Sequence, residues 1–412
     1  MISKKTFSIV LLLFFCTSTQ AMNFLRPYDT LIAPEVYDDS LFQITFYGEG
    51  GVDNARSFAR NGSQTNVLQI YSSTQNAITM LDGFDPLSPI GQKRIAIDTT
   101  DFNSRGIFCV DGELNVDWAG AFSAYWFFLP HIYVSAYLPF FKMELKDVCW
   151  QQVNPDTTSL LATELTNDFF DNVCRLGDGL DLCGWKRTGV GDLTTFLQWF
   201  MDYPQERPLL TNVRLNGRFG INIPTGKKVD EDKTFAIPFG YDGATGLIFG
   251  GGMDLDIGYH LRAGMDIELL HLFGNSRCRR IKTNEDQTEL LLLQKLPVYK
   301  DYGITQRFNL YWQLYKLFGG FSFKFGYQFF KHGGDEISFS SDTFSVKVAN
   351  TDKRLQSYTM HHLVLNASYD FAGHVSEDAW VRPYVSLYGR VPVNGKLSAL
   401  APMIGGVISL SF

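Results

Sequence analysis

Apolar and polar residues alternate one by one over several long segments of the chain. In 211–223 the odd-numbered residues from Val213 onward are apolar or Gly, whereas the even-numbered residues are Asn, Arg or Gly. The segments 253–269 and 321–329 show the same alternation, and in the second of them one face consists only of Phe and Tyr. Successive side chains of a β-strand point to opposite faces, so this period predicts strands with one apolar and one polar face.

About twelve such segments follow one another, joined alternately by short and long connections. Most are about ten residues or longer, which matches a tilted membrane strand better than a typical soluble one. Short turns on one side and long loops on the other, with an even number of strands, are typical of outer-membrane barrels. The predicted strands are 41–50, 106–127, 131–145, 189–201, 209–223, 245–259, one that ends at 273, 303–315, one that ends at 331, 357–371, 380–391 and 403–412.

The predicted fold class is therefore all-β, a transmembrane antiparallel β-barrel of about twelve strands with long extracellular loops. A soluble antiparallel sheet would share the alternation, because it also has a wet and a dry face. Aromatic residues near the strand ends, such as Trp118, Trp126, Tyr259, Trp312 and Trp380, favour the barrel, since aromatic girdles mark both membrane interfaces.

The N-terminus has the layout of a secretory signal peptide. Lys4 and Lys5 precede the apolar run 7–16, and a polar stretch of small residues ends at Ala21. We expect residues 1–21 to be removed, 22–40 to be a periplasmic N-terminal segment and 41–412 to form the barrel. An uncleaved N-terminal anchor is the alternative for the apolar run. No later segment approaches the ~18 apolar residues of a spanning helix, so a mature membrane protein would have to be a closed barrel.

Two long connections interrupt the alternation. The insertion 52–103 contains a stretch, 66–81, that predicts a helix, and it either folds into the barrel mouth as a plug or covers the surface as a cap. The second connection, 148–187, predicts a long outer loop. A third stretch, 288–296, has a helix-like pattern. Excursions of this length inside a compact domain are usually functional or disordered.

Charged residues on the polar strand faces are the candidates for lining a lumen. Such residues could bind cations or tune a pore, but an ordinary wet interior that pairs its charges explains them as well. The lumen-lining candidates are Asp111, Glu113, Asp117, Arg214, Arg218, Asp254, Asp256, Arg262, Asp266, Glu268, Arg307, Lys324, Arg382 and Arg390.

Five cysteines follow the signal peptide, an odd number that leaves at least one unpaired in a monomer. Cys174 and Cys183 close a short loop and are the preferred disulfide, with five free thiols as the alternative. The spacings of zinc sites, phosphate loops and EF-hands are missing, so we predict no catalytic residue, metal or cofactor. A net charge of −7 argues against nucleic acid as a partner.

Four short motifs occur in a fixed order: AYLPFF at 136–141, TGVGDL at 188–193, GRFGINIPTGKK at 217–228 and GATGLIFGGGMDLDIGY at 243–259. In this order they resemble the outer-membrane barrel family associated with meta-pathway phenol degradation, a relative of the hydrocarbon and fatty-acid uptake barrels. The resemblance covers 106–412 and implies a barrel that passes small or apolar molecules. It also implies that Phe412 is the C-terminal aromatic residue that the barrel-assembly machinery recognises. The cysteine-bearing loop and the insertion depart from the family and leave the substrate open.

The sequence thus predicts a channel or transporter of a Gram-negative bacterial outer membrane, through which small solutes diffuse. Its expected partners are outer-membrane lipid, the assembly machinery and an unidentified solute. A surface-exposed structural or adhesive barrel is the main alternative. An outer-membrane hydrolase is less favoured, because a hydrolase needs a nucleophile beside a His. The candidate pairs for that role are His260 with Ser322 and His271 with Asp370.

Overall fold

A computed structural model describes residues 26, 28–36, 40–97, 106–153, 165, 167–371 and 380–412. The predicted signal peptide, 1–21, lies outside the described residues. None of the helices in the described part of the chain has the length and hydropathy for a membrane crossing.

Twelve strands form a closed antiparallel barrel within the described residues. Each strand pairs with its neighbours along the chain, and the last pairs with the first. The all-β barrel predicted from the alternation is therefore confirmed. The strands are β1 (Phe42–Gly51), β2 (Ile107–Leu129), β3 (Ile132–Gln152), β4 (Leu193–Pro204), β5 (Leu210–Ile223), β6 (Gly246–Ile257), β7 (Leu261–Leu272), β8 (Thr305–Leu317), β9 (Phe321–His332), β10 (Tyr358–Asp370), β11 (Arg382–Lys396) and β12 (Met403–Ser411).

The seam between β1 and β12 closes the hydrogen-bonded sheet. The register places Ile44 opposite Leu410. Beyond it, the Phe412 N–H donates to the Phe42 carbonyl at 2.8 Å, and the Phe412 carbonyl accepts from the Leu41 N–H at 2.8 Å. Closure pairs the edge strands with each other, as a lipid environment requires, because it offers no water to unpaired backbone groups.

The two faces of the barrel differ in polarity, as the sequence alternation requires. Large apolar side chains cover the outer wall and are exposed, which is the pattern of a lipid-facing band. Representative outer residues are Phe46, Phe122, Leu197, Phe219, Phe249, Ile267, Leu310, Phe325, Leu365 and Ile408. Buried polar residues face inward from the same strands, among them Gln43, Thr45, Asn309, Gln328 and Asn366.

The strands β2 and β3 are about twice as long as their neighbours and continue past the outer rim of the barrel. The described part of the insertion, residues 52–97, covers the free edge of β2 there. The strand Thr74–Asn76 pairs with residues 107–109, and the Ala55 N–H donates to the Leu114 carbonyl at 2.8 Å. On the other side, the strand Trp185–Val190 pairs with β3 and leads into β4 after a break at Gly191 and Asp192. Both edges of the extension therefore have partners, which protects them from pairing with another chain.

An apolar cluster joins the outer loops into a cap over the barrel. The insertion contributes Leu68 and Met80, the second loop contributes Phe169, and the fourth contributes Leu291. The described residues of the insertion, 52–97, thus pack together with the other outer loops. The further elements in the loops are the strands Arg56–Phe58, Gln64–Asn66, Asn275–Arg280, Lys295–Asp301, Glu336–Ser338 and Ser398–Leu400, and the helices Pro89–Ala96, Phe169–Leu176 and Val346–Ala349.

Two predicted helices are wrong. Residues 66–81 form the 3-10 turns Val67–Gln69 and Thr79–Leu81, with a strand between them. The Asn66 and Asn76 side chains accept from the N–H groups of residues two ahead, and such local bonds compete with a continuous helix. Residues 288–294 are not helical because the four leucines 290–293 are all buried in the cap, and a helix would turn some of them outward.

We predict that Leu310→Arg lowers the free energy of unfolding by roughly 2–4 kcal/mol, because it places a charge on the lipid face near the middle of β8. Urea titration of the protein folded into liposomes measures the loss. The control is Gln306→Arg, on the same face but four residues nearer the outer rim, where the cost should be ~1 kcal/mol or less. Equal losses for the two variants would contradict the assignment of this face to lipid.

Candidate functional site: the barrel interior

The structure places most of the predicted lumen-lining residues on the inner wall. They lie on β5 to β11, and the majority are buried. These inner residues are Arg214, Arg218, Asp254, Asp256, Arg262, Asp266, Glu268, Arg307, Lys324 and Arg390. Arg382 is on the same face of β11 as Arg390, at the opposite end of the strand, and is partly exposed.

The described residues 26 and 28–36, which we call the N-terminal segment, lie inside the barrel. Asn309 donates its side-chain amide to the Asp29 carboxylate at 2.9 Å, and Gln328 also donates to Asp29. The Lys324 ammonium donates to the Thr30 carbonyl at 2.9 Å. These bonds come from β8 and β9, so the segment is held by the inner wall.

Residues 22–40 were expected to form a periplasmic segment, and the structure places the described residues 26 and 28–36 of it against the inner wall of the barrel. The inner wall carries polar groups that need hydrogen-bond partners, and a short segment inside the barrel supplies them. If the segment lay outside the barrel, those groups would stay buried without partners. Leu31 and Ile32 are almost fully buried, and the Leu31 carbonyl accepts from Asn366 at 3.0 Å.

A network of buried charges fixes the middle of this segment. Arg218 donates two hydrogen bonds of 2.7 Å to Asp266 and one of 3.2 Å to Glu268. Arg307 donates to Glu268 at 2.8 Å. From the N-terminal segment, Arg26 lies 3.4 Å from Glu268, and Asp29 lies 3.3 Å from Arg307. The barrel wall alone contributes two cations and two carboxylates, and the segment adds one of each.

A wide cavity lies beside the segment near the short-turn side of the barrel, which is the periplasmic side of such barrels. Its empty volume is about 850 Å³, including the part open to solvent. Arg262 crosses this region, donating to Asp256 at 2.6 Å and to Glu35 of the segment at 3.4 Å. Tyr311 donates its hydroxyl to Asp254.

Aromatic rings line one side of the same cavity. Tyr28 of the segment packs edge-on against Tyr137 at 5.4 Å and lies 4.9 Å from Phe196. Tyr125 packs against Tyr137 at 5.7 Å, and its hydroxyl lies 3.2 Å from that of Tyr47. Rings with hydroxyl groups offer apolar contact and hydrogen bonds together.

The acidic residues of β2 do not line the lumen. Glu113 pairs with Lys146 at 3.1 Å and Asp117 with Lys142 at 3.2 Å, and all four side chains are partly exposed on the outer side of the extension. A β-bulge between Val116 and Trp118 shifts the alternation by one residue, so the faces exchange along the strand. Asp111 lies on the same extension and accepts from Gln69 at 2.8 Å.

Cys174 and Cys183 are both free and exposed, contrary to the predicted disulfide. Cys174 lies in the last turn of the helix Phe169–Leu176, and Cys183 follows a turn in which its N–H donates to Asp181 at 2.8 Å. A short sequence separation does not by itself aim two Cβ atoms at each other, as a disulfide requires.

The residue pairs considered for a hydrolase are not formed. His260 lies in a short turn, and its Nδ1 is bonded to the Tyr315 carbonyl at 3.1 Å. His271 is exposed on the outer face and packs on Phe273 at 5.2 Å. Among the described residues, no group of three or more His, Cys, Asp or Glu is placed to hold a metal ion.

Three of the four ordered sequence motifs meet at the break before β4. The Asp192 carboxylate there accepts from the N–H groups of Gly226 at 2.9 Å and Tyr241 at 2.7 Å, and from the Asn222 amide at 3.1 Å. Gly191 donates its N–H to the carbonyl of Pro139 on β3 at 2.7 Å. The backbone bends at Gly226 of PTGKK, and the motifs fasten the third outer loop to the barrel rim.

Several residues of the barrel interior were not identified as lumen-lining from the sequence. Glu49 of β1 is buried, pairs with Arg390 and accepts from Tyr388 at 3.1 Å. The alternation in 43–49 would have shown it, because Gln43, Thr45, Tyr47 and Glu49 share a face. Asp29 has no such signal, because its segment has no regular period.

Outside the membrane strands, Asp335 illustrates how the loops use buried charge. Burial alone would raise the pKa of its carboxyl, but Lys300 at 2.7 Å and His332 at 2.9 Å hold the pKa at about 2. The pairing connects the strand Lys295–Asp301 to the end of β9.

We predict that Arg218→Met lowers the free energy of unfolding by about 3–5 kcal/mol, because it leaves Asp266 and Glu268 short of a buried partner. The control on the same strand is Arg214→Met, whose pair with Asp202 is partly exposed and should contribute about 1 kcal/mol or less. Urea unfolding in liposomes measures both. A loss for Arg218→Met no larger than for the control would refute the buried network.

We predict a pH-dependent contribution from Asp335. Its pKa in the folded protein is below its ordinary value of roughly 4, so its stabilisation is complete above pH ~4 and is lost as pH falls toward 2. The thermal midpoint of Asp335→Asn should therefore lie below that of the unaltered protein at pH 6, and the gap should close between pH 4 and 2. A gap that stays constant over this range would exclude the paired carboxylate.

The fold has solved counterparts among outer-membrane proteins. No family model and no curated protein matches the chain. An outer-membrane channel from Pseudomonas putida F1 superposes with a TM-score of 0.51 and 11% identity, over 94% of this chain and 100% of that one. A Pseudomonas aeruginosa FadL homologue and the Ralstonia pickettii toluene transporter TbuX match with TM-scores of 0.29 and 0.32 at 10% and 11% identity. They cover 90% and 91% of this chain and 90% and 79% of their own lengths. The chain thus has the fold of a bacterial outer-membrane β-barrel.

Proposed function

We propose that this protein is an outer-membrane channel through which small apolar solutes diffuse. The proposal rests on what lies inside the barrel. A short hydrogen-bonded segment fills its middle, and beside that segment lies a cavity of about 850 Å³. A barrel that served only as a surface anchor would have no use for a cavity lined by aromatic rings.

The likeness to a solved channel agrees with this proposal. The Pseudomonas putida protein that shares the fold is described as an outer-membrane channel, and the superposition covers the full length of that chain. The four ordered motifs point the same way, since they resemble a barrel family associated with meta-pathway phenol degradation, and that resemblance implies the passage of small or apolar molecules. On this proposal the chain is exported with its signal peptide, and Phe412 directs insertion by the assembly machinery.

Apolar solutes fit the lining of the cavity better than ions do. Its arginines are already paired with carboxylates, Arg214 with Asp202 at 2.8 Å and Arg262 with Asp256 at 2.6 Å. Asp254 and Lys324 make hydrogen bonds to Tyr311 and to the Thr30 carbonyl. Paired charges offer an entering ion little compensation for the water that it loses. The rings of Tyr125, Tyr137 and Phe200 offer apolar contact without that cost.

For a solute to pass, the N-terminal segment has to shift. The Leu31 side chain packs directly against Gly326 of β9. A Cβ atom at this glycine would lie 2.5 Å from a Leu31 methyl carbon. Gly326→Val therefore displaces Leu31 without removing a hydrogen bond from the segment.

We predict that Gly326→Val raises conductance in planar bilayers several-fold and speeds the entry of toluene into liposomes. Gly389→Val is the control, because a Cβ at Gly389 meets only a carbonyl oxygen at 3.9 Å and the wall should stay as it is. Heat-modifiable gel mobility verifies that both variants are folded.

No solute entry through the unaltered protein or through folded Gly326→Val would contradict the channel. That result would favour a structural or adhesive barrel, whose outer loops carry the function. Hydrolysis of lipid or peptide by the pure protein would favour an outer-membrane enzyme instead.

A further inference from the structure

A groove lies where β11 reaches the outer rim of the barrel. β11 and β12 pair as far as Arg390 and Met403, and beyond that pair the two chains separate. β11 continues to Lys396 beside β10, whereas the strand Ser398–Leu400 pairs with the strand Arg56–Phe58 of the insertion. The groove between these parts has an empty volume of about 600 Å³, including the part open to solvent. We call it the rim groove.

The rim groove continues the lipid-facing wall of the barrel. Val391 lines it and is on the same face of β11 as Leu387, and both side chains are exposed. Beyond Val393 the exposed side chains of β11 become polar, beginning with Asn394. The apolar band of this strand therefore ends at the groove, which places the groove at the boundary between the outer leaflet and water.

The lining of the rim groove is half apolar and half polar. Its polar half includes one carboxylate, Asp53, and one cation, Arg56. Apolar surface of this kind is stabilised when a hydrocarbon chain rather than water covers it. The apolar lining residues are Phe58, Val391, Pro392, Leu400 and Pro402.

Positive charge gathers around the rim groove, although the chain as a whole carries −7. The two segments that form the groove, 51–66 and 391–403, contain three cations and one carboxylate. The cations are Arg56, Arg60 and Lys396, and none of them forms an ion pair with a described residue. The turn that carries Arg60 packs against Gly395 of β11, so both segments bring cations to this part of the rim.

We propose that the rim groove binds a phosphorylated, acylated lipid of the outer leaflet. An acyl chain lies against Val391, Pro392 and Leu400, and a phosphate of the headgroup faces Arg56. Cations at a membrane surface attract anionic headgroups in this way. A soluble anion would leave the apolar lining uncovered, and an uncharged lipid would leave the cations without a counter-charge. The site is on the outer wall and does not depend on the proposed transport.

Native mass spectrometry of the protein in detergent tests this site with three probes. Lipid A, which carries phosphates and acyl chains, should bind saturably at one molecule per chain. Lipid A without its phosphates keeps the acyl chains and should bind at least about fivefold more weakly. Inorganic phosphate should show no saturable binding, because it has no chain to cover the apolar lining.

Two variants with matched controls then locate the lipid. Arg56→Gln should weaken lipid A binding about fivefold. Its control is Lys146→Gln, which should leave binding unchanged, because Lys146 is an exposed cation already paired with Glu113 at 3.1 Å. Val391→Trp fills the groove, leaves its charges in place and should weaken binding several-fold. Its control is Leu387→Trp, on the same face four residues nearer the membrane centre, where binding should be unchanged.

The proposal fails if lipid A binds the intact protein no more tightly than its dephosphorylated form or inorganic phosphate. It also fails if a folded Arg56→Gln or Val391→Trp variant keeps full affinity, or if each control loses as much as its partner. Toluene that binds the intact protein but not folded Val391→Trp, without any preference for the phosphorylated lipid, would assign the groove to a solute instead. Gel mobility identifies the folded variants, and the comparison of probes on the intact protein decides the question where a variant does not fold.

Discussion

The interior of the barrel must satisfy charged and polar groups that have no access to bulk water. The strands alternate because the outer wall faces lipid, and this alternation turns the charged side chains of β5 to β9 inward. Each buried charge needs a partner, since an isolated one costs several kcal/mol. The network around Arg218 and Glu268 meets this need within the wall, and the N-terminal segment completes it through Arg26 and Asp29.

This constraint links the position of the segment to the proposed function. Hydrogen bonds and ion pairs hold the segment, while the apolar contact of Leu31 with β9 is local. When the segment shifts, these hydrogen bonds and ion pairs can break and re-form as a set. The cap closes the outer side of the molecule through an apolar cluster in which several loops meet. Leu31 and Ile32 of the N-terminal segment belong to the same cluster, so the two closures are in contact.

Much of the fold was readable from the sequence because strand period, strand length and loop parity are local properties. The twelve strands follow from them, with most ends within four residues of those observed, although β3 and β11 continue seven and five residues further. The inner position of Arg218 or Asp266 follows from the same alternation. Glu113 and Asp117 were misplaced because a β-bulge exchanges the faces, and one sequence does not reveal a bulge of this kind. The buried leucines 290–293 predicted a helix because a short apolar run has no period of its own.

The place of the N-terminal segment could not be predicted at all. It has no regular period, and its partners, such as Asn309, are hundreds of residues away along the chain. The position of the segment is determined by polar groups of the barrel wall that need hydrogen-bond partners. Those groups come together only when the barrel has closed. The rim groove belongs to the same class, because its two sides come from segments near opposite ends of the chain that only the closed barrel brings together.

The central claim is that solutes pass through the barrel only when the N-terminal segment moves. A reversible tether tests it most directly. In the double variant Leu31→Cys with Gly326→Cys the two thiols replace groups that are in contact, so oxidation should fix the segment to β9. We expect solute entry into liposomes to stop in the oxidised protein and to return on reduction. Equal entry in both states, with the tether shown to have formed, would contradict the claim.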